Sequence, residues 1–333
     1  MSSSYHILFS KEIDDHAWEF TPERVAEMLS SDGKAPSDTS VDSAYWTLEK
    51  KAPPSWPAVE SERAWHGPVA VFLNNCVDAC NCALGRSRGS AGKSQRWYDG
   101  LKFIVHDDHV EGEAKGIQTI RPDLVGGRGM DPNKRSSWSP KDPHTNQILV
   151  PVEVGRNWTS MVMQSVTHAR TLFSASPSRQ FALALGFRHV EAELRFLVFH
   201  RSGLTASIPL CVRDEQGRRD ILRVFLSILS WKSANDAGFL EFYNDTHILL
   251  LRDKGDETGV VARVAEVIDD APCVTGRASR VFLVVGPPCE GEGLESHFST
   301  LSLTARKSRH QELRAQTKRG DEIRMLFRPA MHQ

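Results

Sequence analysis

The chain has 333 residues, enough for one large core or two moderate ones. Its 41 Lys+Arg nearly cancel its 42 Asp+Glu, so net charge gives no pull toward nucleic acid or a membrane surface; a local basic groove leaves nucleic acid open, and protein partners are expected. No run of about 18 apolar residues occurs, so no membrane span is expected. The opening MSSSYHILFSKEIDD lacks the basic and apolar regions of a secretion leader, so the expected location is cytoplasm or nucleus.

Along the chain, FTPERVAEMLSSDG predicts a helix with Thr21 as cap, Pro22 at the first helical position and Gly33 as its end. The Pro/Ser/Asp-rich stretch after it, as far as Pro57, reads as a loop that wraps the body. AVFLNNCVDACNCALG reads as a helix stopped by Gly85, and RSRGSAGKSQR as a basic, flexible segment. From Leu101 the runs LKFIVHDD, KGIQTIRPDLVG and QILVPVEVG are strand-like. The next stretch places Trp158, Met161, Val162, Val166, Ala169 and Phe173 on one helical face. RQFALALGF, AELRFLVFH and LTASIPL are again strand-like, and GRRDILRVFLSILSW is an amphipathic helix. HILLLRDK, VVARVAEVI and CVTGRASRVFLVVG continue as strands, and the charged tail from Ala305 has a helical pattern.

Several motifs have simpler readings than their chemistry suggests. GSAGKS at 89–94 lacks the first glycine of a phosphate loop, because that position is Ser87, and a surface loop is favoured. Cys76, Cys80 and Cys82 lack the paired spacing of a zinc knuckle and read as small thiols packed on a helix. HDDH at 106–109 reads as a solvated turn. HRSG at 200–203 lies between two strand-like runs and reads as a hairpin turn.

The informative constellation is Asp123, after Pro122, followed about thirty residues on by Glu153 inside the apolar run ILVPVEV. A carboxylate isolated in such a run costs several kcal/mol, so it needs a partner or a metal. One reading gives Asp123 a turn or cap role and pairs Glu153 with an arginine across the core. The other is a resemblance: strand, turn, strand and helix carrying Pro122-Asp123 and Glu153-Val154-Gly155 are similar to the PD-(D/E)XK nuclease-like core. That resemblance implies an α/β fold with a mixed sheet flanked by helices. It also implies Mg²⁺ held by Asp123 and Glu153, and a helical glutamine at Gln164. The family's lysine, which helps to activate water, is replaced by Gly155. The remnant site is therefore expected to be catalytically silent.

A longer set of segments, VPVEV (151–155), SPSRQFALALGF (176–187), ELRFLVFHRSG (193–203) and VTGRASRVFLV (274–284), resembles the fungal-type protein kinase family. His200 stands where that family has Asp before RSG. The N-terminal residues 1–85 are expected to form a mostly helical region with a Pro/Ser-rich loop, outside the stretch that carries the resemblance. The resemblance implies a nuclease-like α/β domain over 86–245 and a partial kinase-like small lobe over 246–333. In that lobe Gly276, Arg277, Ala278 and Ser279 would cover ATP phosphates, with Lys307 as the strand lysine and Glu322 as its helix partner. HRD…N and DFG motifs are absent, so the chain reads as a binding or regulatory module, a pseudoenzyme or truncated member of the family. The rival readings are the N-terminal part of an ATP-dependent kinase and a divergent metal-dependent nuclease.

Overall fold

The computed structural model describes residues 16–58, 61–85, 100–106, 121–127, 148–175, 179–200, 202–233 and 236–238, and the strands 243–244, 247–250, 260–270, 279–285 and 298–304. Strand β1 (Ala17–Phe20) leads into helices α1 (Pro22–Leu29), α2 (Asp38–Glu49) and α3 (Arg63–Ala83). Strands β2 (Lys102–Val105), β3 (Leu124–Gly127) and β4 (Ile148–Gly155) precede helix α4 (Trp158–Ala175). Strands β5 (Phe181–Arg188), β6 (Glu193–His200), β7 (Gly203–Ser207) and β8 (Leu210–Cys211) then lead to helix α5 (Glu215–Leu229).

These strands form one mixed sheet in the order β1-β7-β6-β5-β4-β3-β2, with β8 also paired to β6. The pairs β1/β7 and β4/β5 are parallel and the others antiparallel. The expected α/β class with a mixed, helix-flanked sheet is therefore the observed one. Parallel pairing of β4 with β5 requires a crossover, and α4 supplies it.

Both faces of the central strands are buried, and the alternation along them sorts side chains between two cores. On β5, Leu183 and Leu185 join the core shared with α1, α2, α3 and α5. Ala182 and Ala184 face the other core with Val162, Val166 and Phe173 of α4. Small residues on that face let the crossover helix lie close to the sheet. On β6, Phe196 and Val198 take the first side, Leu197 and Phe199 the second. Phe196 and Phe103 both meet the Phe225 ring edge-on, and Trp231 donates its indole N–H to the Leu29 carbonyl.

The hairpin expected at HRSG is present: β6 and β7 pair antiparallel, with His200 opposite Gly203. His200 is buried; its Nδ1 accepts the Ser202 N–H at 3.2 Å, and its ring stacks on Trp18 at 6.1 Å. The His200 imidazole thus ties the hairpin to β1.

Three sequence expectations need correction. Helix α1 is capped by Thr21 and carries Pro22 first, as read, but ends at Leu29, ahead of Gly33. The α3 helix begins at Arg63, a full turn and more before the run that signalled it. The stretch read as a loop contains α2. Ser37 caps it, and Val41, Ala44, Tyr45 and Leu48 form its buried stripe. Its polar face hides that stripe in composition, and α5 stabilises it from outside. Arg218 meets Glu49 at 3.0 Å, Arg223 meets Asp38 at 3.0 Å, and Arg219 pairs with Asp42 while lying 4.3 Å over the Tyr45 ring.

Cys76 and Cys80 are buried in α3, and burial pushes the Cys76 thiol up, as suits packed, unreactive thiols; Cys82, expected to pack with them, is exposed. The GSAGKS segment and residues 107–109 of HDDH lie outside the described residues. Beyond α5, β9 (Tyr243–Asn244), β10 (His247–Leu250), β11 (Val260–Asp270), β12 (Ser279–Val285) and β13 (Phe298–Thr304) form an antiparallel sheet in chain order. No helix among the described residues is long and apolar enough to cross a membrane.

Candidate functional site

Asp123 stands just before β3, and the pairing of Leu124 with Val152 sets it opposite Glu153 on β4. Its Oδ2 accepts the Val154 N–H at 2.8 Å, and its own carbonyl accepts the His106 N–H at 2.9 Å. The two carboxylate residues singled out in the sequence are therefore neighbours across a strand pair. Their side chains have different partners.

Glu153 is only 2% exposed, and its Oε1 meets Nε2 of His168 on α4. The expected partner was an arginine or a metal; the structure supplies an imidazole from the crossover helix. A buried carboxylate needs a hydrogen-bonding partner, and His168 satisfies that need. Gln164, one turn before His168, is half-buried, and the contact to Glu153 comes from the residue four positions later.

Gly155 ends β4, and its surroundings explain what its missing side chain permits. A Cβ there would lie 3.0 Å from Met161 Cγ and 3.3 Å from its Sδ, with Glu62 Oε2 at 4.0 Å. The space in which a lysine stem would start is occupied by a methionine of α4.

Two further residues complete the cluster. Glu62 immediately precedes α3 and His66 follows it by four residues, a spacing that puts both on one side of the helix. His66 is buried, with Nε2 3.6 Å from Asp123 Oδ1. One ligand atom from each of Glu62, His66 and Asp123 lies within 4.8 Å of the others. Burial, and then the charge of Glu153, hold the Glu62 carboxyl above its ordinary value. Glu153 thus acts on this group electrostatically while bonding to His168.

The Mg²⁺ arrangement implied by the nuclease resemblance, with Asp123 and Glu153 as joint hard-oxygen ligands, does not fit this donor set. Glu153 is taken by His168, and Asp123 faces an imidazole. Sequence reading missed Glu62, His66 and His168. The first two were concealed because helix α3 was started too late; the Glu-x-x-x-His spacing was the available signal. Of the candidate nucleotide residues, Gly276, Arg277, Ala278, Lys307 and Glu322 lie outside the described residues, and Ser279 opens β12.

Fold and site together define an α/β domain whose mixed sheet carries a carboxylate–histidine cluster, open at Glu62, where one helix meets two strands. A family model described as fungal protein kinase matches residues 125–289. That match supports a fungal protein kinase assignment, and the matched stretch runs from β3 through β12. No curated protein and no solved structure matches it.

Proposed function

We propose that the chain acts as a binding or regulatory module of the fungal protein kinase family, built on a nuclease-like core that no longer cleaves. The order α3-β2-β3-β4-α4-β5, an antiparallel triplet joined through a helix to a parallel strand, supports the nuclease-like reading. The observation that carries the silent reading is Gly155, whose side-chain direction is filled by Met161. Water attack on a phosphodiester needs a group to assist it, and position 155 offers none. The buried pair of Glu153 with His168 supports the same reading, because a carboxylate so engaged serves the core. A protein is the partner this reading favours, given the balanced charge.

The test is direct. Purified chain, incubated with DNA or RNA and Mg²⁺ or Mn²⁺, is expected to leave both intact. Robust cleavage that disappears in Asp123→Ala and Glu153→Ala overturns the silent reading.

The family match, which extends through β11 and β12, favours a second reading: the N-terminal part of an ATP-dependent kinase. The sequence contains neither HRD nor DFG, which position substrate and metal in kinases. ATP is accordingly expected to bind no better than the millimolar range, worth roughly 4 kcal/mol. Micromolar affinity for Mg·ATP by calorimetry would favour the kinase reading instead.

A further inference from the structure

We propose that Glu62, His66 and Asp123 form a site for one divalent cation of the nitrogen-accepting class, Zn²⁺ in particular, which ties helix α3 to the start of strand β3. The proposal goes beyond the silent-module reading and stands whether or not that reading holds.

Four observations support it. The first is reach: tetrahedral zinc, with bonds of about 2.0–2.2 Å, sets its ligand atoms roughly 3.4 Å apart. His66 Nε2 and Asp123 Oδ1 are 3.6 Å apart, and all three ligand atoms fall within 4.8 Å. Drawing in the Glu62 side chain closes the set.

The second is donor chemistry. Mg²⁺ takes oxygen ligands and keeps its waters, whereas an imidazole with two carboxylates suits Zn²⁺ or Co²⁺. His66 is 6% exposed, so its imidazole is a fixed wall of the site.

The third is orientation. Asp123 Oδ2 is bonded to the Val154 N–H at 2.8 Å, which leaves Oδ1 turned toward His66. A hydrogen bond that aims a ligand in this way is the usual support behind a metal site.

The fourth is access. Glu62 lies at the exposed mouth, so an ion can enter beside it.

The full chain, stripped by a chelator, is titrated separately with Zn²⁺ and Mg²⁺ by calorimetry and followed by thermal denaturation. One Zn²⁺ per chain is expected, at micromolar affinity or tighter, with a raised melting temperature; Mg²⁺ binds at least tenfold more weakly. Glu62→Gln and His66→Gln each weaken Zn²⁺ binding tenfold or more. Glu62→Gln carries the test if the buried His66 variant does not fold, since metal-free Glu62→Gln is expected to melt no lower than metal-free wild type. Cobalt provides the independent readout: a nitrogen–oxygen site gives weak visible bands without an intense thiolate charge-transfer band. No Zn²⁺ binding, unchanged affinity in Glu62→Gln, equal affinity for Mg²⁺, or a thiolate band that assigns the ion to cysteine overturns the proposal. Cleavage of nucleic acid by the zinc-loaded chain would overturn the silent reading and leave the metal site standing.

Discussion

Glu153 on β4 and His168 on α4 meet inside the protein, and this contact joins the strand to the helix that leads away from it. Both residues are nearly sealed from solvent. Taking away one member of such a pair leaves the other buried without its partner, at a cost of about 3–5 kcal/mol. His168→Ala is expected to destabilise the chain by that amount in urea denaturation. Glu153→Leu combined with His168→Leu should cost at least about 1 kcal/mol less than the two single changes summed. Additive losses would remove the pair from any role in holding α4 on the sheet.

Gly155→Lys is expected to destabilise by about 1–3 kcal/mol, because the new Cβ starts 3.0 Å from Met161 Cγ. Methionine is flexible, so the loss stays moderate. Met161→Ala in the same chain should recover part of it, and denaturant midpoints of the two single variants and the double variant measure how much. No recovery would mean that the position is closed by something other than Met161.

Gly217 reverses the usual helix rule. It lies in the first turn of α5, where Gly→Ala ordinarily gains up to about 1 kcal/mol. Here a Cβ would stand 2.0 Å from the Cys211 carbonyl oxygen, and backbone cannot give way as a side-chain tip can. Gly217→Ala is expected to destabilise by about 1–3 kcal/mol or more. A gain in stability would show that the approach of α5 to β8 is not tight.

Asp220 gives a pH dependence of defined sign. Burial raises its carboxyl above the ordinary value, although Gln216 Nε2 donates to it at 2.9 Å. The folded chain therefore holds this proton more tightly than the unfolded chain. Ionised Asp220 destabilises the fold at neutral pH, and the penalty fades as pH falls through the folded value. Asp220→Asn is expected to raise the melting temperature at about pH 7, with a smaller gain at about pH 4. An equal gain at both would assign the effect to packing.

What the sequence determined by itself was local in origin. The apolar runs in FALALGF and ELRFLVFH mark strands, and the spacing from Met161 to Phe173 marks the crossover helix, because these patterns belong to the local backbone. Gly155 at the end of β4 was likewise legible, as a matter of identity at one position. Helix α2 was not, because its apolar stripe is thin among Ser and Asp and its acids find their partners on α5, far along the chain. Nor was the site. Glu153 had to have a partner, and the sequence could not say that His168 would be it rather than an arginine. Glu62 and His66 become part of a cluster only when α3 crosses the start of β3 beside Asp123. Secondary structure follows from neighbours along the chain, but a buried charge is satisfied by whichever group the packing brings to it. That choice was made by the tertiary fold.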